Sequence, residues 1–284
     1  MQKTFGETFE INGIGLHSGL PSKMTFYPSE AGSGIVFVRA DLPHKPEFKS
    51  VYSQVADTRN CTCLGNAQKE VVSTIEHIMA ALYILGVDNA RIEVTNPETP
   101  IMDGSAKVFY EQLKKVPLKE LPAKRKYLKV LREVEFSDGK GAKVVLKPGE
   151  GLRIHFTIDF PSKIVGHQEF DGVIDEAVFA SKIAPARTFC EKYQVDYLRS
   201  IGLIKGGSLE NAVVLDGEKI LNEGGFRVAN EAVNHKVLDC IGDMYTAGYR
   251  LLADVTAEKS GHFHNNEVLK KLFSEPDNYQ IVEE

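Results

Sequence analysis

A basic, proline-containing segment at residues 114–126 divides this sequence of 284 residues into two parts. Pro117, Pro122 and six basic residues interrupt the apolar periodicity that is found on both sides of the segment. A chain of this length is about twice an average domain of roughly 150 residues. We therefore interpret the segment as a linker and predict two domains, residues 1–118 and 126–284. One large domain is also compatible with the length.

The first part has the pattern of a sheet followed by a helix, a strand and a second helix. Short predicted strands at 23–27 and 34–39 are separated by turn residues. A helical apolar spacing then begins near Ser73, which forms a capping-box pattern with Glu76, and ends at Gly86. A strand is predicted at 90–94 and a helix at 106–113.

The second part repeats this order of elements. The predicted strands are 127–131, 143–147 and 152–160, followed by a helix at 231–247, a strand at 250–255 and a helix at 267–273. His77 lies nine positions before Gly86, and Asp239 lies nine positions before Gly248. The two side chains therefore occupy equivalent positions in two copies of one unit. We predict an α+β fold of two similar two-layer sheet-and-helix sandwich domains, packed with the active site between them.

The composition narrows the class of protein. An apolar fraction of 43% with 26% charged residues is typical of a globular chain with a core. The formal net charge of −5 argues against a nucleic-acid partner. The longest apolar stretch, 78–87, is far shorter than the ~20 residues that span a membrane, and no signal-peptide pattern is present. Four scattered cysteines do not form a disulfide framework. We therefore expect a cytoplasmic protein without an integral membrane segment.

The predicted helix at 231–247 carries a candidate metal platform. His235 and Asp239 are one turn apart, and Asp243 follows after another turn. An imidazole and a carboxylate at this spacing lean the same way and can reach one ion at about 2.0–2.2 Å. Taken alone, the spacing is more often that of an exposed polar helix face.

Glu76 and His77 offer a second pair of chemically useful groups. A neutral imidazole can bind a metal, and an adjacent carboxylate can accept a proton from water. The simpler alternative is that Glu76 closes the capping box with Ser73 and that His77 is a polar residue near the helix start. The pair does not belong to a His-Glu-x-x-His motif of zinc proteases. His262 and His264, in the turn at 259–265, are ambiguous by themselves.

Seven short motifs, distributed along nearly the whole chain, resolve this ambiguity through resemblance. They are GIGLHSG at 13–19, STIEH at 73–77, PIMDGS at 100–105, ARTF at 186–189, GGSL at 206–209, HKVLD and IGD within 235–243, and KSGH at 259–262. In this order they resemble the family of UDP-3-O-acyl-N-acetylglucosamine deacetylases, bacterial enzymes of the lipid A pathway. Seven motifs in register are far more specific than any one of them.

The resemblance implies a Zn²⁺ cofactor bound by His77, His235 and Asp239, with water in the fourth position. It also implies a fold of two similar sheet-and-helix domains, in agreement with the repeat. The implied activity is hydrolysis of the N-acetyl group of UDP-3-O-(3-hydroxyacyl)-N-acetylglucosamine, which releases acetate. The expected partner is this UDP-linked acylated amino sugar, and a monomer is expected.

The resemblance also implies roles for further residues. Glu76 is implied as the general base, His262 as an acid or electrostatic partner, and Asp243 as the group that orients His262. The other implied residues are Thr188 and Lys236, near the oxyanion and the substrate, and Phe189, Gly207 and Ser208, which line a passage for the acyl chain. His264 receives no role.

Two other functions remain as alternatives at this stage. A zinc hydrolase of another amide would use the same metal site, but it would not need an acyl passage. A non-enzymatic nucleotide-sugar or RNA-binding module would need no stoichiometric zinc.

Overall fold

The computed structural model describes residues 1–284 and shows a mixed α+β fold, which confirms the predicted fold class. Residues 1–120 form ten strands and two helices. The strands are β1 Lys3–Phe5, β2 Phe9–Ile14, β3 Pro21–Tyr27, β4 Ile35–Arg39, β5 Glu47–Lys49, β6 Val55–Asp57, β7 Cys63–Gly65, β8 Val71–Val72, β9 Ala90–Val94 and β10 Leu118–Glu120. The helices are α1 Glu76–Leu85 and α2 Lys107–Leu113.

The remaining residues form ten more strands and four helices. The strands are β11 Lys126–Val130, β12 Val134–Ser137, β13 Lys143–Pro148, β14 Leu152–Asp159, β15 His167–Val173, β16 Phe189–Glu191, β17 Val213–Asp216, β18 Lys219–Ile220, β19 Arg250–Glu258 and β20 Tyr279–Glu283. The helices are α3 Glu176–Val178, α4 Lys192–Ser200, α5 Glu231–Tyr245 and α6 His262–Ser274. None of the helices is both long and apolar enough to cross a membrane.

The two main sheets have the same pattern of strand pairing around a central strand. In the five-stranded sheet, β9 lies between the antiparallel strand β3 and the parallel strand β4. In the seven-stranded sheet, β19 lies between the antiparallel strand β13 and the parallel strand β14. Each central strand also follows one helix, α1 or α5, and precedes a second helix, α2 or α6. The repeated order read from the sequence therefore corresponds to a repeated strand topology.

The segment at 114–126 contains regular structure. Strand β10 lies within it and pairs antiparallel with β1, and β11 begins at its last residue. One apolar cluster includes residues from both parts of the chain, because α1 and α5 pack directly on each other. The division into domains at 1–118 and 126–284 stays a prediction.

The crossing of α1 and α5 depends on a glycine. A Cβ atom at Gly242 would lie only 2.0 Å from the carbonyl oxygen of Glu76. Any side chain at this position would push the two helices apart. The tyrosines near the C-terminal ends of both helices also meet, since the rings of Tyr83 and Tyr245 pack edge to face at 5.3 Å. This close crossing brings the polar faces of the two helices together.

The structure corrects two predicted helix starts. The capping box was wrong: α1 begins at Glu76 after Ile75, Thr74 has a left-handed φ of 61°, and the Ser73 hydroxyl donates to the carbonyl of Pro97 instead. The last helix begins at His262 rather than at residue 267. Its first turns contain buried asparagines, which an apolar pattern does not reveal.

Candidate metal centre and active site

Helices α1 and α5 bring three metal-ligand side chains together in the interior. His77 lies on the first turn of α1, and His235 and Asp239 lie one turn apart on α5. Their ligand atoms all lie within 4.8 Å of one another, and all three residues are buried. The three residues therefore form a candidate metal-binding cluster.

The spacing of these atoms fits one tetrahedral ion. Asp239 Oδ1 lies 3.6 Å from His77 Nε2 and 3.4 Å from His235 Nε2. Both separations exceed the 2.7–3.2 Å of an ordinary N–H···O hydrogen bond. Two ligands bound tetrahedrally at 2.0–2.2 Å lie about 3.3–3.6 Å apart. The donor set and its spacing thus suit a divalent transition metal.

Neighbouring groups orient the ligands on α5. The Nδ1 atom of His235 lies 3.0 Å from the carbonyl oxygen of Ala186, to which it can donate, so that Nε2 faces the cluster. Burial lowers the pKa of His235 to about 3, which keeps the imidazole neutral as a metal ligand requires. Burial opposes ionisation of Asp239, but His235 and Lys236 hold its pKa well below the usual range. The Lys236 ammonium donates to Asp239 Oδ2 at 2.9 Å.

Glu76 lies beside this cluster and is 3% exposed. Its Oε2 atom accepts a hydrogen bond from the backbone N–H of Thr62 at 3.0 Å. Burial raises the pKa of the Glu76 carboxyl group, while His262 and His77 act in the opposite direction. The carboxylate is thus held in place by a tertiary contact, and it does not cap its own helix.

A second histidine-carboxylate pair faces the same space from α6. His262 Nδ1 lies 2.8 Å from Asp243 Oδ2, which also accepts from the Asn265 amide at 2.9 Å. The Thr62 hydroxyl donates to the other oxygen of Asp243 at 2.6 Å. Burial alone would lower the pKa of His262, but the charge and hydrogen bond of Asp243 raise it to about 9. This imidazole is therefore held protonated near neutral pH.

A larger cavity of about 500 Å³ opens beside the cluster. Its wall includes Phe189, Gly207 and Ser208, and about half of its lining residues are hydrophobic, several of them on α4 and nearby loops. The smaller pocket around the metal ligands shares lining residues with this cavity. The shared residues are Leu16, Asn60, Thr188, Lys236 and His262. The two spaces therefore adjoin across a common boundary.

The structure brings together every residue that the sequence analysis predicted for the site. Those in or beside the metal pocket are Glu76, His77, Thr188, His235, Lys236, Asp239, His262 and, behind His262, Asp243. Those of the larger cavity are Phe189, Gly207 and Ser208. His264 contacts Asp138 instead, at 3.5 Å.

Sequence reasoning missed Thr62 and Asn265. Thr62 contacts Glu76 and Asp243, which are 14 and 181 residues away along the chain. No local spacing predicts such contacts. The only sequence signal for Thr62 was its position as a polar residue between two cysteines. Cys61 and Cys63 are both buried in the structure.

A candidate metal cluster beside a buried carboxylate and a large cavity is typical of metal-dependent hydrolases, and the site has these features. The chain belongs to the family described as UDP-3-O-acyl N-acetylglycosamine deacetylase (LpxC), which matches residues 2–274. Curated relatives named UDP-3-O-acyl-N-acetylglucosamine deacetylase include those of Pasteurella multocida, 41% identical, and Shewanella baltica, 43% identical. Each alignment covers 99% of this chain and 92% of the relative. The relative from Bdellovibrio bacteriovorus is 42% identical over 100% of this chain and 93% of its own length.

Proposed function

We propose that this chain hydrolyses the N-acetyl group of UDP-3-O-(3-hydroxyacyl)-N-acetylglucosamine and releases acetate, as a zinc-dependent step of lipid A biosynthesis. The observation that carries the proposal is the junction of two spaces, a pocket with a candidate metal-binding cluster and a larger cavity about half of whose lining residues are hydrophobic. Such a junction suits a substrate with a polar reacting group and a long acyl chain. Family membership supports the same substrate class.

The proposed zinc ligands are His77, His235 and Asp239. Two imidazole nitrogens and one carboxylate oxygen leave one tetrahedral position open for water or substrate. When bound there, zinc lowers the pKa of water and stabilises negative charge that develops on a carbonyl oxygen. The hydrogen bond from His235 to Ala186 and the contact of Asp239 with Lys236 keep these ligands aligned.

Glu76 is the proposed general base. The carboxylate lies next to His77 in sequence and lines the same pocket, which supports a role in taking a proton from the attacking water. The hydrogen bond from the Thr62 backbone holds its second oxygen.

His262 is the proposed acid for the departing amine. Asp243 holds the protonated imidazole in place through Nδ1, which leaves Nε2 for the substrate. Thr188 and Lys236 line the same pocket and are proposed to donate hydrogen bonds to the oxyanion or the substrate. Phe189, Gly207 and Ser208 are proposed to contact the acyl chain.

The competing function is hydrolysis of another amide by the same metal site. The size of the adjoining cavity and the hydrophobic residues in its wall favour an acylated substrate over a polar one. A cytoplasmic location and a monomeric state remain predictions.

The test is a mass-spectrometric assay of acetate release from UDP-3-O-acyl-N-acetylglucosamine. We expect release that a chelator abolishes and that added zinc restores. UDP-N-acetylglucosamine without the acyl group is the matched control and should react far more slowly. Absence of acetate release from metal-loaded protein would refute the function, and equal rates on both compounds would refute the role of the cavity.

A further inference from the structure

Glu98 is a buried carboxylate that has no ion-pair partner and is not among the residues proposed for catalysis. It is 2% exposed. Its Oε1 atom accepts from the backbone N–H of His17 at 2.8 Å and from the Thr74 hydroxyl at 3.2 Å. Its Oε2 atom accepts from the backbone N–H of Ser18 at 2.8 Å. Burial of a charged group is costly without such bonds, so these three donors stabilise the buried carboxylate.

The donors belong to two segments that border the site. His17 and Ser18 lie in the loop at 15–19, and the cavity wall includes Leu16 and His17 from this loop. Thr74 lies in the turn just before α1 and lines the metal pocket. Glu98 therefore joins the loop beside the larger cavity to the turn that leads into Glu76 and His77. We call this arrangement the Glu98 clamp.

The loop held by the clamp also contacts the second part of the chain. The backbone N–H groups of Lys205 and Gly206 donate to the carbonyls of His17 and Leu16 at 3.2 and 3.0 Å. Residues 207 and 208, which follow directly, line the larger cavity. A displacement of the loop would therefore move two walls of the cavity together.

The clamp depends on a second residue, Gly15. A Cβ atom at this position would lie 2.3 Å from Glu98 Oε2 and 2.3 Å from the Ser18 hydroxyl oxygen. The φ of Gly15 lies outside the left-handed region, so that an alanine would clash with the clamp without straining the backbone. Gly15→Ala thus offers a way to disturb the carboxylate without removing it.

We infer that Glu98 is a positioning residue for substrate binding, because it holds the loop of Leu16 and His17 against the cavity. This inference rests on the proposed function, because the ligand of the cavity is the acylated sugar nucleotide. Two of its three bonds, the shorter ones, go to the loop, and one goes to the turn before α1. Loss of the clamp should therefore weaken binding more than it slows the chemical step.

The experiment compares Glu98→Gln with wild type in the acetate-release assay. The glutamine amide keeps one acceptor oxygen but points an NH₂ group at one set of N–H or O–H donors, so the loop loses part of its anchor. We expect KM to rise about tenfold, the scale of one lost charge-assisted hydrogen bond, and kcat to change less than about threefold. Zinc content should stay at the wild-type level. Calorimetric binding of the substrate to the metal-free proteins should show the same loss of affinity.

The matched controls separate positioning from general stability. Gly15→Ala should reproduce the rise in KM, whereas Gly151→Ala, where a Cβ meets nothing within 4 Å, should not. Thr74→Val removes only the longest of the three bonds and should raise KM less than Glu98→Gln does.

Unchanged KM in Glu98→Gln and Gly15→Ala, with only melting temperature, zinc content or kcat reduced, would overturn the inference. Failure of both variants to fold would also overturn it, since the contact would then be a folding requirement. The proposed function is judged separately, from the wild-type rate, so its failure is distinct from a failure of the clamp.

Discussion

Two buried histidines of the site differ in charge: one is neutral and the other is protonated. His235, on α5, has a pKa lowered to about 3, whereas His262, on α6, has a pKa raised to about 9. Burial pushes both values down, so burial does not explain the difference. The neighbouring charges do: His77 and Lys236 oppose the effect of Asp239 on the pKa of His235. Asp243 raises the pKa of His262 by its charge and by its hydrogen bond to Nδ1. The same residue type is therefore neutral in one part of the pocket and protonated in another.

The largest effect is expected at the proposed metal ligands, which include the neutral histidine His235. His77→Ala, His235→Ala or Asp239→Ala removes one of three protein ligands, so we expect zinc content to fall and activity to drop by about 10³-fold or more. Elemental analysis and the acetate-release assay measure both effects. His44→Ala, which changes an exposed histidine, should leave both unchanged. Normal zinc content in all three ligand variants would refute the metal site.

The next largest effect is expected at Glu76, which lines the same pocket as the two histidines. Glu76→Gln keeps an acceptor for the Thr62 N–H but cannot accept a proton from water. We expect the rate to fall by about 10²–10⁴ with zinc retained and thermal stability nearly unchanged. Near wild-type turnover with intact metal would show that this carboxylate is structural, and His262 would become the first candidate for the base.

The protonated state of His262 can be tested through the pH dependence of kcat. If His262 acts as an acid, activity falls as pH rises through its pKa in the enzyme. Asp243→Asn removes the negative charge that raises this pKa, so the alkaline limb should move to lower pH by about 1 unit or more. A pH–rate profile of both metal-loaded proteins measures the shift. An alkaline limb that does not move would assign it to a group other than His262.

The smallest effect concerns folding stability of the metal-free protein. The pKa of His262 is near 6.5 in an unfolded chain and about 9 when folded, so the charged pair stabilises the fold fully below about pH 6.5. That contribution, up to about 3 kcal/mol, is lost as pH rises through about 9. Urea unfolding of wild type and His262→Gln should therefore differ most at pH 6 and least at pH 10. A constant difference across this range would contradict the raised pKa.

Much of the fold could be predicted because its signals are local. The strand at 90–94 was predicted with its observed bounds, and α5 within two residues of its end, since apolar periodicity and a closing glycine mark them. The region between β14 and α5 was not predicted, although it supplies much of the cavity wall. Apart from β15, which pairs with β14, its strands are short and pair only with one another. Several of its apolar side chains lie exposed.

The sequence by itself determined which groups are available and how those on one helix are spaced. His235 and Asp239 lie one turn apart because the helix repeat places them so. Only the tertiary structure decided that His77 meets them, that Glu76 bonds to Thr62, and that Asp243 charges His262. The physical reason is that burial and hydrogen-bond partners set both position and charge, and these partners lie far away along the chain.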